Sequence, residues 1–323
     1  MKTHNGNVLV LATGGSIAQT SPSDPTLAGE ALLEAIPELR DKFGIVVEQV
    51  AQVSSPDITA EHWLTLASRI NRAAADEEVQ GIVVTHGTDT LEETAFFLNL
   101  VVKSEKAVVV VGAMRRPYAL GADGAANLHD AVVLASCQEA KGRGVLVVLN
   151  SEIHSARDVT KTTFNLDAFK SRDLGPLGQM VNGRPFFYRR SERKHTLCSA
   201  FPANLDRLPH VAIVYSYAGV TPDVLTGIAA AGYDGVVWAG TGSGSLPKAI
   251  RPAATTLVKN GMAFVRSSRV SSGPIKRNDE VDDDAFGFIT ADSLNPQKAR
   301  ILLMLALTQT KDPLEIQSLF DSH

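Results

Sequence analysis

The chain has 323 residues, of which 44% are hydrophobic and 20% are charged, and its formal net charge is −4. This length exceeds what one ordinary hydrophobic core supports, so two domains are expected. A mildly acidic chain lacks the concentrated basic surface of nucleic-acid-binding proteins, and no apolar run approaches the roughly 20 residues of a membrane span. Neither nucleic acid nor a membrane is therefore an expected partner.

The first residues and the cysteines bear on location. The sequence MKTHNGNVLVLATGG passes from polar residues directly into a predicted strand, without the apolar segment of a secretory signal. We therefore expect a cytoplasmic protein, or a periplasmic one if a leader has been removed. Cys137 and Cys198 are the only cysteines, too few for a disulfide framework or a metal cluster. Cys137 lies in the helical, apolar stretch HDAVVLASCQEA, which predicts a buried, unreactive thiol.

In the first half of the chain, short runs rich in Val and Ile alternate with helical patterns. The runs are apolar without alternation, which is typical of strands buried on both faces. Alternating strands and helices predict an α/β fold with a doubly wound, mostly parallel sheet. The predicted strands are residues 8–12, 81–85, 107–111 and 144–150, and the predicted helices include residues 62–75, 91–101 and 127–139.

The second half changes character and then repeats the α/β pattern. Residues 182–209 are rich in Arg, Lys and aromatic residues without a helical period, which indicates a hairpin and a linker. Strands are predicted at 211–215, 235–239 and 263–266, and the pairs Asn295-Pro296 and Asp312-Pro313 predict the starts of the last two helices. We expect a larger N-terminal catalytic domain (1–190), a linker (191–210) and a smaller C-terminal α/β domain (211–323).

In open parallel sheets, ligands bind beyond the carboxyl ends of the strands. Three of the segments that follow predicted strands are glycine turns that carry hydroxyl groups, namely residues 13–16, 85–90 and 240–245. A fourth segment, Gly-Ala-Met-Arg at residues 112–115, follows another strand. We therefore expect the ligand-binding and catalytic residues to lie in these four turns. Either hydroxyl of the first turn, on Thr13 or Ser16, is a candidate nucleophile.

The second of these turns, THGTDT, is the most informative. Thr90 and Glu93 match a capping box, so a helix is expected to begin there, and its N-terminal amides would stabilise the carboxylate of Asp89. An isolated Asp at such a position is usually a helix cap, but the hydroxyls and glycines around it favour a site. His86 is a candidate general base, and a hydrogen-bonded structural histidine fits its position equally well.

Three further residues have both a functional and an ordinary interpretation. Lys161 follows the strand at 144–150 and, if near Thr88, could hold that hydroxyl ready for deprotonation. Glu280 belongs to the acidic loop NDEVDDDAFG, which is typical of a solvated surface. The turn at 240–245 approaches the dinucleotide pattern G-x-G-x-x-G but fails at Ser245, and Arg266 could grip a 2′-phosphate, so an NADP-binding oxidoreductase is an alternative.

Six motifs carry a family resemblance that runs over nearly the whole chain in the correct order. They are TGGSIA, THGTDTLEETAFFL, VGAMRRP, RDVTKT, VRSSRV and LNPQKARILLMLALTQTKDP. They resemble the bacterial L-asparaginases of the high-affinity class, a family that includes the glutaminase-asparaginases. The resemblance implies hydrolysis of a side-chain amide to aspartate and ammonia, without metal or organic cofactor. It also implies a homotetramer, a dimer of dimers whose active sites lie between the N-terminal domain of one subunit and the C-terminal domain of its partner.

The resemblance also implies roles for individual residues. By motif position, Ser16 falls where the family has its threonine nucleophile, and Thr88, Asp89 and Lys161 fall on a second catalytic group. An acyl-enzyme forms on the nucleophile and is released by water.

Three more positions correspond to substrate contacts. Ser55 falls on the residue that binds the substrate's α-carboxylate, and Ala113 falls where a backbone carbonyl holds the amide. Glu280 falls on the acidic residue contributed across the dimer to the α-amino group. These roles agree with the chemistry of an amino-acid substrate, because a zwitterion needs an anchor for each charge, and Asp89 and Glu280 suit the ammonium.

The chain departs from the family pattern at several positions. The nucleophile position holds serine, which lacks the methyl group that restricts a threonine rotamer, and we expect activity to be kept, at a reduced level. The family's lid tyrosine has no counterpart in QTSPSDPTLAGEALL, since the first tyrosine is Tyr118. Pro56 replaces a glutamine and removes a backbone donor, and Ser243 and Ser245 replace asparagines. Preference between asparagine and glutamine does not carry over.

Two cysteines that some secreted members pair are also missing, since Ala75 and Ser104 lie near those places, which favours the cytoplasm. The sequence therefore predicts an amidohydrolase acting on L-asparagine. A broader glutaminase-asparaginase is the close alternative. From other classes, the NADP-binding oxidoreductase and a non-catalytic amino-acid-binding protein remain open.

Overall fold

A computed structural model of the chain describes residues 6–15, 39 and 42–323. The chain divides into two compact units, Met1–Asp206 and Arg207–His323. The boundary lies within the stretch that the sequence assigns to a linker. Among the described residues, none of the helices combines the length and the apolar character that crossing a bilayer requires.

The described part of the first unit contains an eight-stranded sheet and a separate two-stranded ribbon. The sheet strands are β1 (Asn7–Ala12), β2 (Gly44–Gln49), β3 (Val79–Thr85), β4 (Ala107–Val111), β5 (Val145–Leu149), β6 (Glu152–Ser155), β9 (Gly178–Val181) and β10 (Arg184–Phe187), and the ribbon pairs β7 (Thr160–Lys161) with β8 (Phe169–Lys170). Across the sheet the order is β10-β9-β6-β5-β4-β3-β1-β2. Strands β1 to β5 pair in parallel, whereas β6, β9 and β10 form antiparallel pairs at one end of the sheet.

Three α-helices are described in this unit: α1 (Ala60–Ala75), α2 (Leu91–Val101) and α3 (Gly124–Ser136). One hydrophobic core forms between α3 and the central strands, where Val83, Val109 and Val148 are buried together with Leu128 and Val132. Strands β4 and β5 are buried along their whole length, because helices cover parallel strands on both faces. The predicted α/β fold with a mostly parallel sheet is confirmed.

The described part of the second unit contains a four-stranded parallel sheet in the order β11-β12-β13-β14. Its core contains three buried aromatic rings, of which Phe264 contacts both Trp238 and Phe288. The elements are β11 (Val211–Tyr215), α4 (Asp223–Ala230), β12 (Gly235–Gly240), α5 (Arg251–Lys259), β13 (Ala263–Ser268), α6 (Asp283–Phe286), β14 (Ile289–Thr290), α7 (Pro296–Ala306) and α8 (Pro313–Ser322).

The predicted caps of the last two helices are confirmed. The side chain of Asn295 accepts a hydrogen bond from the backbone N–H of Lys298, at 3.0 Å. Asp312 accepts from the N–H groups of Leu314 and Glu315. Each cap satisfies donors that the first turn of a helix leaves without partners.

The hairpin is observed earlier than the sequence predicts. Its strands are β9 and β10, and the turn between them is Asn182-Gly183, where both residues have positive φ, 50° and 70°. An Asn-Gly pair tolerates this left-handed backbone, as a tight hairpin turn requires. The prediction took this turn as the start of the hairpin, whereas it is the middle.

Candidate active site

Lys161 joins the two residues that the sequence paired with it. Its Nζ donates to Thr88 Oγ1 at 2.8 Å and to Asp89 Oδ1 at 2.7 Å. Lys161 is half-buried on the ribbon strand β7, with 15% of its side chain exposed, whereas the Asp89 side chain is 62% exposed. The three groups therefore form one hydrogen-bonded unit at the carboxyl end of β3, where a ligand is expected in this kind of sheet.

The start of α2 differs from the predicted capping box. Thr90 occupies the N-cap position, but its hydroxyl makes no capping bond and donates instead to the backbone oxygen of Ser55, at 2.7 Å. The capping-box prediction was wrong because a partner from another segment took the hydroxyl. The consequence is a fixed attachment between the turn at 86–90 and the turn at Ser55.

Ser55 makes a second contact with the same turn. It begins a short 3₁₀ turn, Ser55–Asp57, and is buried with 4% exposed. Its Oγ accepts the backbone N–H of Asp89 at 3.2 Å, so its own hydrogen is directed to another acceptor. Pro56 follows at an exposed position. Ser55 therefore lies against Asp89.

Two glycine turns touch backbone to backbone beside Ser55. Gly15 has φ of 86°, and a Cβ built on it would lie 2.5 Å from the N and Cα atoms of Gly87. A Cβ on Gly87 would lie 2.8 Å from Ser55 Oγ. Only glycine allows such an approach, so the turn after β1 and the turn after β3 are in contact.

The first turn contains two hydroxyls, and the structure accounts for one of them. Thr13 is buried, and its Oγ1 donates to the backbone oxygen of Thr85 at 2.8 Å. This hydroxyl is a structural link between β1 and β3 and is not available as a nucleophile. Ser16, the predicted nucleophile, lies outside the described residues.

Ala113 is buried in the turn after β4, with 2% exposed. A Cβ on the preceding Gly112 would lie 3.0 Å from the methyl group of Thr88. The turn is held by Asp123, whose carboxylate accepts the backbone N–H groups of Met114 and Arg115 at 2.9 and 2.8 Å. Ala113 therefore lies on a fixed turn that packs against Thr88.

His86 is structural and not a general base. It is wholly buried, and burial lowers the pKa of its ring to about 4. Its Nδ1 lies 2.7 Å from the backbone oxygen of Gly87 and its Nε2 lies 2.8 Å from Thr94 Oγ1, which accepts from Trp63 Nε1 at 2.8 Å. Because a carbonyl only accepts, Nδ1 carries the hydrogen and Nε2 accepts from the Thr94 hydroxyl. Both ring nitrogens are therefore occupied.

The structure argues against the NADP alternative. Arg266 is wholly buried, and its guanidinium makes two hydrogen bonds to Asp283, Nε–Oδ1 at 2.6 Å and Nη2–Oδ2 at 2.7 Å. It therefore cannot grip a phosphate. The glycine turn closes on itself, with Ser245 N donating to Thr241 O at 2.8 Å, and the next helix begins only at Arg251. The turn does not open a helix, as a dinucleotide site requires.

Glu280 lies in the second unit. It is exposed, and it accepts a hydrogen bond from Ser245 Oγ. Ser245 is one of the two serines that replace family asparagines, so the replacement contacts the residue to which the resemblance assigns the substrate's amino group. The loop before α6 is anchored by Asp283, whose carboxylate also accepts the N–H of Asn278 at 2.9 Å.

Other candidate ligand groups do not assemble. Among residues 6–15, 39 and 42–323, no three His, Cys, Asp or Glu side chains are grouped to hold a metal ion. Cys137 is half-buried against the core, and burial raises the pKa of its thiol. Cys198 is exposed.

Sequence reasoning missed one contact of this site. Thr160 Oγ1 donates to Glu92 Oε1 at 3.0 Å, and Glu92 is buried in the first turn of α2. The available signal was proximity in sequence, because Thr160 precedes Lys161 and Glu92 follows Asp89 by less than one helical turn.

Fold and site together define a class: a two-domain α/β protein in which a lysine, a threonine and an aspartate are hydrogen-bonded at the carboxyl end of a parallel sheet. Residues 7–193 match the family described as "Asparaginase, N-terminal", and residues 210–320 match "Glutaminase/Asparaginase C-terminal domain".

Comparison with individual proteins agrees over the full length. The chain is 46% identical over 326 residues to L-asparaginase 2 of Escherichia coli strain K12, covering 98% of this chain and 93% of that protein. It is 45% identical over 327 residues to the glutaminase-asparaginase of Acinetobacter glutaminasificans, covering 97% and 98%. The L-asparaginase 2 of Bacillus subtilis strain 168 is 46% identical over 327 residues, covering 98% and 86%. The chain belongs to the asparaginase and glutaminase-asparaginase family, which confirms the resemblance.

Proposed function

We propose that the protein hydrolyses the side-chain amide of L-asparagine to L-aspartate and ammonia. The observation that carries this proposal is the contact of Lys161 Nζ with both Thr88 Oγ1 and Asp89 Oδ1. An amino group held against a hydroxyl favours removal of the hydroxyl proton, which is what activates a weak oxygen nucleophile or a water beside it.

The substrate is a zwitterion with an amide, so the site must bind two charges and one reacting carbon. The ammonium is bound by the carboxylate of Asp89 and by that of Glu280 from the adjacent subunit, and the α-carboxylate by the hydroxyl of Ser55 and backbone amides, since charge-assisted hydrogen bonds are the strong ones. The burial of Ser55 and its hydrogen bond to Asp89 support this arrangement. The carbonyl of Ala113 holds the amide nitrogen.

The reaction proceeds through an acyl-enzyme. Ser16 Oγ attacks the amide carbon and gives up its proton, the C–N bond breaks, and the nitrogen leaves as ammonia after taking up a proton. Amides of the glycine turn stabilise the oxyanion, at about 3 kcal/mol per donor. Water then attacks the ester, with Thr88 and Lys161 drawing off its proton, and aspartate leaves as Ser16 regains its hydrogen.

An ammonia-release assay on asparagine and glutamine tests the proposal with wild type, Ser16→Ala and Thr88→Ala. We expect wild type to release ammonia and both variants to lose nearly all activity. Full activity of Ser16→Ala together with loss in Thr88→Ala would move the nucleophile to Thr88. Asparagine-induced thermal stabilisation with no ammonia over hours would indicate the non-catalytic binding protein instead.

A broader glutaminase-asparaginase is the second candidate. It is favoured by the family membership, which includes glutaminase-asparaginases, and Ser245, which contacts Glu280, is the position to test. The ratio of kcat/KM for the two amides measures this preference. If Ser245→Asn lowers the glutamine value alone, the shorter side chain is what admits the longer substrate.

We propose further that the active form is a homotetramer, a dimer of dimers in which Glu280 acts on the substrate bound by the partner subunit. The family membership supports this assembly. Light scattering coupled to gel filtration gives the mass, and mixing inactive Lys161→Met and Glu280→Ala chains tests the sharing of sites. Mixed oligomers with restored activity support shared sites, and an inactive mixture argues against them.

We propose further that the protein is cytoplasmic, because Ala75 and Ser104 lie near the places where some secreted members of the family have paired cysteines. Fractionation of the source cells, followed by detection of the protein in each fraction, tests it.

A further inference from the structure

The strand that carries Lys161 is very short. The ribbon consists of two residues in each strand, with Thr160 opposite Lys170 and Lys161 opposite Phe169. Beyond it, Thr162 donates twice to the backbone oxygen of Ala168, from N at 2.7 Å and from Oγ1 at 3.0 Å. A two-stranded ribbon of this size is marginal by itself, so its attachment to the rest of the site decides where the Lys161 amino group lies.

Glu92 supplies such an attachment. It is the second residue of α2 and is buried, with 5% exposed. Burial of a carboxylate is costly unless hydrogen bonds compensate it, and the N-terminal end of a helix reduces that cost. Its Oε1 accepts the hydroxyl hydrogen of Thr160 at 3.0 Å.

The two ends of this hydrogen bond lie next to the catalytic group in sequence. Thr160 directly precedes Lys161. Glu92 lies on the first turn of α2, and Thr88 and Asp89 lie just before that helix begins. The segment 88–92 therefore makes three side-chain bonds to two consecutive residues of β7: two to Lys161 and one to Thr160. Loss of the third bond removes the side-chain contact through which α2 holds Thr160, the residue directly before Lys161.

We infer that Glu92 is a positioning residue: by holding the Thr160 hydroxyl it fixes β7, so that Lys161 Nζ stays within hydrogen-bond distance of Thr88 Oγ1. Glu92 acts through Thr160, and Thr160 acts through the backbone it shares with Lys161. The inference rests on the proposed function for its effect on turnover, but the position of Lys161 can be measured without turnover.

Paired substitutions on both sides of the bond test the inference by activity. Thr160→Val and Glu92→Leu remove the bond, whereas Thr160→Ser and Glu92→Gln keep a hydroxyl donor and an oxygen acceptor. Since a small misplacement of a catalytic group costs up to about a hundredfold, we expect kcat to fall about tenfold to a hundredfold in the first two variants, with KM for asparagine within about twofold. The conservative variants should stay within about threefold of wild type.

Two further variants separate positioning from general destabilisation. Thr163→Val, a change of the same type two residues beyond Lys161, should leave kcat and KM at the wild-type values. The double variant Glu92→Leu/Thr160→Val should be no slower than the slower single variant, because both changes break one bond. If Glu92→Leu does not fold, the Thr160 pair still decides the question.

The second readout is the rate at which the Lys161 amino group is reductively methylated, followed by mass spectrometry of its peptide. Lys248, in the second unit, serves as the internal reference. We expect Thr160→Val to raise the rate at Lys161 several-fold relative to Lys248, and Thr160→Ser to leave it unchanged. Equal methylation rates at Lys161 in wild type and Thr160→Val would overturn the inference. If the wild type is active, an unchanged kcat in Thr160→Val would overturn it as well. A wild type that releases no ammonia would overturn the proposed function alone.

Discussion

Arg266 and Asp283 form an ion pair in which neither side chain is exposed to solvent, joined by hydrogen bonds of 2.6 and 2.7 Å. The guanidinium also donates to the backbone oxygen of Gly244 at 3.1 Å and of Lys276 at 3.4 Å. One buried side chain therefore ties together the loop that carries Ser245 and the loop that carries Glu280.

Removal of the Arg266 cation should destabilise the folded protein strongly. We expect Arg266→Met to lower the free energy of unfolding by about 3–5 kcal/mol, because Asp283 is left as an uncompensated buried charge. Urea denaturation measures the loss. The double variant Arg266→Met/Asp283→Leu should recover part of it, since no charge remains.

A partly exposed pair is the control for this prediction. Arg69 contacts Glu48, with 35% and 32% of their side chains exposed. Arg69→Met should cost no more than about 1 kcal/mol, as is usual for solvent-accessible ion pairs. Equal losses in Arg266→Met and Arg69→Met would contradict the account of the buried pair.

Lys161→Met should abolish most of the turnover of asparagine. We expect kcat to fall by about a hundredfold or more, because the methionine side chain has a similar length but cannot donate to Thr88 or Asp89. Lys170→Met is the matched control on the paired strand, where Lys170 contacts Glu152 at 3.2 Å. Steady-state ammonia release measures both, and a comparable loss in Lys170→Met would attribute the effect to the ribbon as a whole.

Gly15→Ala should lower activity strongly. The added Cβ would lie 2.5 Å from the backbone of Gly87 at a φ of 86°, so the turn after β1 must move away from the turn after β3. We expect at least about a tenfold loss of kcat/KM, in line with the cost of displacing catalytic groups. Gly142→Ala is the control, because that glycine also has positive φ, 66°, but nothing lies within 4 Å of the added atom. If both variants lose activity equally, the backbone angle is responsible and not the close approach.

His86 should make stability depend on pH. Burial lowers the pKa of its ring from the ordinary 6.5 to about 4, so between these values the unfolded chain binds a proton that the folded chain does not. Stability contributed by the neutral ring is therefore complete above pH 6.5 and is lost as the pH falls toward 4. The full window is worth about 3 kcal/mol.

His86→Gln isolates this effect. The difference in unfolding free energy between wild type and the variant should shrink by about 3 kcal/mol as the pH is lowered through that window, and it should not change between pH about 7 and 8, where the ring is neutral in both states. Chemical denaturation at each pH measures it. If this difference in unfolding free energy stays constant as the pH falls toward 4, the ring takes up a proton in the folded protein as readily as in the unfolded chain.

The two cysteines should react with thiol reagents at different rates. Burial raises the pKa of the Cys137 thiol, which lowers the fraction of thiolate, the reactive species, whereas Cys198 is exposed. We expect one fast and one slow group with an aromatic disulfide reagent. In Cys198→Ser the fast phase should vanish, and its persistence would assign it to Cys137.

Much of the fold could be predicted because it depends on local composition. The strands at 107–111 and 211–215 and the helix at 91–101 were predicted with the observed bounds, since fully buried parallel strands are short apolar runs. The edge strand β2 was missed, and the structure explains why: none of its six residues is buried. Strands β7 and β8 have two residues each and carry no periodic signal.

The sequence by itself determined the order of strands and helices, the glycine turns and the family, because these depend on residues near one another in the chain. Only the tertiary structure decided which hydroxyl accepts a hydrogen bond from Lys161 and that Thr90 bonds to Ser55 instead of capping its helix. It also decided that the Arg266 guanidinium is hydrogen-bonded to Asp283. The physical reason is that hydrogen-bond partners are chosen by distance in space. A polar side chain takes the partner that folding brings within about 3 Å, whatever its local pattern suggests.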